Sequence, residues 1–363
     1  MGAPHTLSPV CIRTVRPAAR PPLPNAGVDN DNALTHTTGA MTRLRWGILS
    51  TARIGSRRVI PAIQKSETGT VTAIASRSGA RARESAARFN IPRAHASYED
   101  LLADPDVQAV YIPLPNNMHK EWTLRAAAAG KHILCEKPLA LDAAEAREMA
   151  AAASRAGVLL QEAFMYRFHP QIERLVQLVR TGAIGTPWLV RAGFTFTVAS
   201  EEDIRLNPSL GGGGIYDVGC YTVSISRLLL GEPEQASAVA TFQGGVDVRL
   251  SALLTFPHGA SALIDCGLRA PMRQFCEVVG TEGTITVRRP FLPGEDPALL
   301  SLRRGEAEER IEIPGTDQYV RMIDHFGTAV LNGAAPRHPA EDAVANMAAL
   351  DLLRASITAT VRG

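Results

Sequence analysis

From Leu44 onward the chain alternates short β-branched or aliphatic runs with longer Ala-rich helical stretches, and this alternation leaves few architectures open. Strand, helix, strand is the βαβ unit, whose strands pair in parallel and whose helices cover the sheet. Strands are expected at Leu44–Leu49, Val71–Ala75, Ala109–Ile112, His132–Cys135 and Val158–Leu160, with helices beginning near Ile54, Ala80, Tyr98, His119 and Asp142. Ser97, with Asp100 three residues on, is placed to cap the third helix. After about residue 184 the texture changes. Runs at Trp188–Val198, Gln235–Phe242, Val246–Phe256, Ala260–Cys266, Phe275–Val279 and Thr284–Val287 follow one another through turns such as Gln243-Gly244-Gly245, Pro257-His258-Gly259 and Gly280 to Gly283. Strand after strand through tight turns predicts a largely antiparallel sheet. Helices are expected near Tyr216–Leu230, Tyr319–Leu331 and Pro339–Thr360. The fold class is α/β: an N-terminal doubly wound parallel sheet followed by an α+β domain with an open, largely antiparallel sheet. At 363 residues the chain has the length of two domains. They are expected over 41–165 and 166–363, with the terminal helix packing back on the first.

Residues 1–40 read differently, with six prolines and little apolar periodicity, and are expected to be a disordered extension. Met41 directly precedes the first strand, so the extension also reads as an artefact of start-codon assignment. Over the whole chain 45% apolar and 20% charged residues fit a globular protein, and no apolar run approaches the roughly 18 residues of a membrane span. A net charge of +2, from 38 basic and 36 acidic residues, supplies no long-range field for nucleic acid or an anionic membrane. Cys11, Cys135, Cys220, Cys266 and Cys276 are dispersed, without zinc spacing, and read as buried thiols of a reducing, cytoplasmic compartment; no metal is expected. Only Lys65, Lys120, Lys131 and Lys137 among the basic residues are lysines. A GC-rich genome accounts for that bias, yet each retained lysine invites attention because Lys, unlike Arg, shifts its pKa readily.

Four motifs carry chemistry. After the first strand, Ser50-Thr51-Ala52-Arg53-Ile54-Gly55 occupies the place of a G-x-G-x-x-G turn, where small residues let backbone N–H groups approach a pyrophosphate at a helix N-terminus. At the end of the second strand, Ser76-Arg77 stands where an NAD-specific fold carries an acidic residue. A hydroxyl and a guanidinium suit a 2′-phosphate, so NADP(H) is preferred over NAD(H); the alternative is a solvated loop arginine. Cys135-Glu136-Lys137-Pro138 ends the fourth strand at the carboxyl edge of the sheet, where such folds bind ligands and a lysine can aim at a ligand oxygen. Finally, Gly211 to Gly214 let backbone approach a ligand, and Asp217 and Tyr221 follow four apart on one helical face. Tyr221 can donate a proton, and a nearby ammonium would lower its pKa into a useful range. A glycine-rich loop before a buried aromatic is the competing reading.

Together with Leu44 to Gly55 and Glu162-Ala163-Phe164-Met165-Tyr166-Arg167-Phe168-His169-Pro170, these motifs resemble the glucose-fructose oxidoreductase / inositol dehydrogenase (Gfo/Idh/MocA) family. The similarity runs over about residues 43 to 360 and is nearest to the branch of NADP-dependent D-xylose dehydrogenases and dimeric trans-1,2-dihydrobenzene-1,2-diol dehydrogenases. It implies a Rossmann domain, a C-terminal sheet whose outer face forms a homodimer, and a lysine, Lys137, touching nicotinamide ribose and substrate, often before a cis proline. Tyr221 inherits the proton donor or acceptor role and Asp217 that of orienting substrate. Ser50, Thr51, Ala52, Arg53, Ile54, Ser76, Arg77, Pro113, Asn116, His119, Glu136 and Lys137 are the expected cofactor contacts; for His119 a capping or packing role competes. Tyr166, Arg167, Phe194, Arg205 and Asp217 are the expected substrate contacts.

The expected reaction is hydride transfer between NADP(H) and a carbinol carbon, Tyr221 exchanging the hydroxyl proton while Lys137 holds the oxygen and depresses the phenol's pKa. An aldose oxidised at C1 leads, and a cyclic trans-dihydrodiol is the alternative substrate. A non-catalytic NADP-binding regulator would not need Lys137 and Tyr221, and an enzyme cycling tightly held NAD is disfavoured by Ser76-Arg77.

Overall fold

The computed structural model describes residues 43–362, the side chains of 358–362 excepted. The extension expected over 1–40, and Cys11 within it, lie outside the described residues. The first sheet is built from β1 (Leu44–Leu49), β2 (Gly69–Ala75), β3 (Arg93–His95), β4 (Ala109–Ile112), β5 (His132–Cys135) and β6 (Leu160–Glu162). They lie in the order β3-β2-β1-β4-β5-β6, all parallel. The central strands β4 and β5 are almost wholly buried, as expected of strands covered on both faces. The covering helices are α1 (Ile60–Lys65), α2 (Gly79–Phe89), α3 (Tyr98–Ala103), α4 (His119–Ala128) and α5 (Ala143–Arg155). Ser97 caps α3 as expected, accepting the Asp100 N–H at 3.0 Å, and Asp142 caps α5 through Glu145 N at 2.8 Å. The strand expected at Val158–Leu160, the fifth of the five, lies two residues later as β6, and β3, only three residues long, escaped prediction.

The chain then forms α6 (Pro170–Arg180), β7 (Pro187–Thr197), α7 (Cys220–Leu230), β8 (Gln235–Gln243), β9 (Val246–Thr255), β10 (Ser261–Gly267), β11 (Arg269–Gly280), β12 (Thr284–Val287), β13 (Ala298–Arg304) and β14 (Ala307–Ile313). It ends with α8 (Gln318–Leu331), α9 (Ala340–Ala355) and β15 (Ile357–Arg362). Nine strands form the second sheet in the order β14-β13-β12-β11-β7-β10-β9-β8-β15, antiparallel except for the β10–β7 and β15–β8 pairs. The helix expected through Thr360 is corrected here. It stops at Ala355, and Ile357-Thr358-Ala359-Thr360-Val361-Arg362, rich in β-branched residues, continues the sheet as β15.

Both terminal helices pack against elements of the first sheet. Trp46 of β1 packs against Phe326 of α8, ring centroids 5.1 Å apart and tilted by 41°, and the Asp324 carboxylate accepts from Ser66 Oγ at 2.6 Å and Thr68 Oγ1 at 3.0 Å. On α9, Asp351 accepts the Ala143 N–H at 2.8 Å, at the start of α5. These ties leave a cleft between the carboxyl edge of the parallel sheet and the inner face of β7.

Candidate active site

That cleft is a cavity of about 1060 Å³. At one end the turn after β1 supplies Ser50 to Ile54. Ser50 adopts φ +136°, a conformation natural to the glycine it replaces, and its own Oγ accepts the Ala52 N–H at 3.0 Å. The local bond offsets part of a strain of about 1–3 kcal/mol, which explains how the turn forms without its first glycine. Ser76 and Arg77 line the same cavity, joined by Arg57, Arg58, Arg81 and Tyr98, which the sequence reading missed. Arg57 lies four residues after Arg53 on the same rising turn, a helical spacing that was available as a signal. Pro113, Asn116, Glu136 and Lys137 continue the wall, and Asn116 Nδ2 donates to the Gly211 carbonyl at 2.8 Å.

His119 does not reach the cavity. It is wholly buried, with Nδ1 2.9 Å from the Pro138 carbonyl and Nε2 2.9 Å from that of Leu114, and burial lowers its pKa. It pins two loops together, so the expectation of a cofactor contact is replaced by its packing alternative.

At the other end lies an ionic arrangement around Asp217. Lys137 Nζ donates to the Asp217 carbonyl at 2.7 Å and to Oδ1 at 2.9 Å, while Arg205 Nε donates to Oδ2 at 2.8 Å. Burial would raise the Asp217 carboxyl, but the two cations outweigh it and hold it below its ordinary value. Burial would likewise lower the Lys137 ammonium, yet Asp217, Cys220 and Glu136 keep it above the usual lysine value. Glu136 itself, raised by burial, accepts the Tyr111 O–H at 2.5 Å. The Lys137–Pro138 peptide is cis.

Tyr221 lies beside this group, at the centre of an aromatic cage: Phe164, Tyr166, Phe194 and Phe291 have ring centroids 5.1, 5.6, 5.4 and 5.4 Å away. Its O–H donates to Met165 Sδ at 3.5 Å. The expectation that Lys137 depresses its pKa is overturned. The ammonium sits over the ring, 5.1 Å from its centroid, rather than beside the hydroxyl, and burial drives the phenol well above its ordinary value. Tyr221 therefore keeps its proton at neutral pH, the form that donates in the reducing direction.

Phe194, Arg205 and Asp217 line the cavity as expected; Tyr166 and Arg167 do not. Tyr166 O–H shares a 2.7 Å hydrogen bond with Ser224 Oγ, and the buried Arg167 pairs with Asp342 and donates to Ser224 Oγ at 3.1 Å. Both brace the wall from behind. The glycine run also works differently from expectation. A Cβ at Gly212 would meet the Arg205 carbonyl at 2.6 Å, and one at Gly213, where φ is +128°, would meet Asp247 Oδ1 at 2.3 Å. Close approach at these two positions is to protein groups, although the loop also edges the cavity. Met165, Asp203, Leu292 and Tyr319 line the cavity without having been foreseen, Tyr319 arriving on α8 from far along the chain.

Cys135, Cys220, Cys266 and Cys276 are buried free thiols. Among the described residues no cluster of His, Cys, Asp and Glu is arranged for a metal, and no helix is long and apolar enough to cross a membrane.

Residues 44–164 match the oxidoreductase family with an NAD-binding Rossmann fold, and residues 172–286 match the GFO/IDH/MocA C-terminal domain. The chain is 41% identical to a D-xylose 1-dehydrogenase (NADP(+)) of Haloferax volcanii, over 85% of this chain and 96% of that protein. It is 38% identical to the trans-1,2-dihydrobenzene-1,2-diol dehydrogenase of Mus musculus, over 69% of this chain and 77% of that protein. In three dimensions it resembles a 3-ketoreductase from Actinomadura kijaniata solved with NADP and TDP-benzene, with TM-score 0.84 and 34% identity over 89% of this chain and 100% of that one. Family segments in chain order, a relative matched along nearly its whole length and a shared fold agree: this chain belongs to the Gfo/Idh/MocA family of oxidoreductases.

Proposed function

We propose that the protein is an NADP-dependent dehydrogenase that oxidises an aldose at C1, reversibly, with Lys137 and Tyr221 acting on the substrate oxygen. The observation that carries this reading is the convergence of Lys137, Asp217, Arg205 and Tyr221 on one cavity that also holds the turn after β1 and the Ser76–Arg77 strand end. The donor set fits the dinucleotide. Arg53, Arg57, Arg58, Arg77 and Arg81 all line the cavity, Arg77 at the end of β2, while its carboxylates, Glu136, Glu202, Asp203 and Asp217, all come from elements other than the end of β2. A 2′-phosphate there meets guanidinium rather than a repelling carboxylate, so NADP is preferred and NAD is the lesser alternative.

Bound NADP supplies the hydride acceptor or donor, and the chain supplies everything else. Arg77 and Ser76 would hold the 2′-phosphate and the turn after β1 would receive the pyrophosphate. Lys137, kept charged by Asp217, donates to the substrate oxygen and stabilises negative charge as it develops. Tyr221 donates its proton to that oxygen in the reducing direction; in the oxidising direction its phenolate, the proton first released to solvent, takes the carbinol proton as hydride leaves for NADP+, and Asp217 with Arg205 orients neighbouring hydroxyls. Phe194, Phe196 and Leu292 give the site an apolar side. That side suits a cyclic trans-dihydrodiol, the second reading, as the mouse relative's name also does.

The proposal includes a homodimer through the outer face of the second sheet. Leu253 and Leu263 pair directly across β9 and β10 and are exposed together with Val239 of β8. Light scattering tests it, with a monomer as the contrary result. The function is tested by offering aldoses, inositols and cyclic diols with NADP+ or NAD+ and following absorbance of the reduced cofactor. Reduction with an aldose and NADP+ is expected. No reduction with any of them would overturn the reading in favour of a regulatory NADP-binding protein.

A further inference from the structure

Asp203, in the connection between β7 and α7, holds three partners at once. Its Oδ1 accepts the Arg205 N–H at 3.0 Å, capping the short 3₁₀ turn Ile204–Leu206. Its two oxygens also receive Arg205 Nη1, at 3.1 and 3.3 Å. From across the cleft, Arg53 Nη2 lies 3.6 Å from Oδ2. Arg205 in turn donates to Asp217, and Asp217 accepts from Lys137. Five side chains of alternating sign, Arg53, Asp203, Arg205, Asp217 and Lys137, therefore run from the turn after β1 to the end of β5, and all five line the one cavity.

The order of charges has two consequences. Each carboxylate is shared between two cations, so a change at one link redistributes the others. Without the Asp203 charge, Arg205 would be left to Asp217 alone and would draw that carboxylate away from Lys137. At the far end, the Asp203 charge occupies Arg53 and stands beside a turn built to receive an anion. There it opposes a pyrophosphate electrostatically.

We infer that Asp203 is a positioning residue: through Arg205 and Asp217 it fixes Lys137 for reaction, and it competes with the cofactor's pyrophosphate for Arg53. This rests on the role proposed above for Lys137. Cofactor entry takes Arg53 and leaves the whole Asp203 charge to Arg205, so the arm holding Lys137 tightens once the dinucleotide is in place. By linkage, substrate then binds better to the loaded enzyme than to the free one, and the cofactor gains by the same factor when substrate is bound.

The test is Asp203→Asn in the full chain, with Asp203→Ala beside it. The asparagine oxygen can still accept the Arg205 N–H, so this variant keeps the cap and loses only the charge. NADPH affinity is read by fluorescence titration, and KM and kcat with the sugar found to be turned over. Asp203→Asn is expected to bind NADPH about two- to fivefold more tightly, the scale of an exposed ion pair. Its KM for the sugar is expected to rise roughly tenfold, at an unchanged melting temperature. Asp203→Ala should show the same opposed shifts and melt lower for loss of the cap. Unchanged constants in Asp203→Asn would overturn the inference, as would a parallel weakening of both, which marks a loosened loop. If wild type turns over none of the sugars or diols, the proposed function fails on its own account. The NADPH titration then still decides, an unchanged affinity refuting the competition for Arg53.

Discussion

Replacing Tyr221 with Phe removes one oxygen and leaves the cage intact. The hydroxyl's hydrogen bond runs to Met165 Sδ at 3.5 Å, a weak acceptor, and the residue is 4% exposed. The four ring contacts with Phe164, Tyr166, Phe194 and Phe291 survive the change. The stability cost is therefore under about 1 kcal/mol, or roughly 1–2 °C at most for a protein of this size. The kinetic cost is of another order. A lost proton donor lowers turnover by about two to four orders of magnitude, equivalent to roughly 3–5 kcal/mol of transition-state stabilisation. Thermal melting should show the first effect and NADPH absorbance, followed in both directions, the second. Because burial holds the phenol well above its ordinary pKa, wild type should show no ionisation of this group between about pH 6 and 9. Turnover within a few-fold of wild type, without an enlarged isotope effect from a deuterated substrate, would refute the donor role and leave the proton to Lys137.

Arg77→Glu places a carboxylate where the 2′-phosphate is held and should raise KM for NADP+ by about a hundredfold while sparing NAD+; parallel steady-state kinetics with the two cofactors check it. Gly213→Ala drives a Cβ to 2.3 Å from Asp247 Oδ1 at a φ of +128° and should cost about 2–4 kcal/mol in denaturant unfolding. Glu162 is buried and its carboxyl is pushed up to about 8, so the folded state holds a proton that the unfolded chain releases. Its contribution to stability is whole below about pH 4.5 and is lost as pH rises through 8. Glu162→Gln, whose amide oxygen can still accept the Leu139 N–H, should therefore melt above wild type at pH 8 by a few degrees, with the margin closing toward pH 4.5.

The strands of the parallel sheet and the stretch from β7 to β12 were legible because their apolar periodicity is local. Some of what escaped did carry a local signal: α6 has an apolar stripe at helical spacing, and β13 and β14 form a hairpin about the Gly305 turn. The rest had none or a misleading one. β3 is three residues long, and β15 continues so directly from α9 that its β-branched run was absorbed into a helix. In the site, Lys137, Asp217 and Tyr221 stood in spaced motifs, and the fold brought them together. Tyr166 and Arg167 belong to an equally suggestive motif but turn inward, because Ser224 and Asp342 offer them buried partners from distant segments. The electrostatic state of Tyr221 was likewise invisible, since it depends on which part of the side chain faces the ammonium: the ring, not the hydroxyl.

Hydride transfer from sugar to nicotinamide is the central claim, and isotope transfer tests it most directly. An aldose deuterated at C1, the one giving the fastest reduction of NADP+, would be incubated with the enzyme and the reduced cofactor examined by mass spectrometry and proton NMR. The account predicts one deuterium at nicotinamide C4 per sugar oxidised. Reduced cofactor without deuterium, or deuterated aldoses left unchanged beside unreduced NADP+, would contradict it.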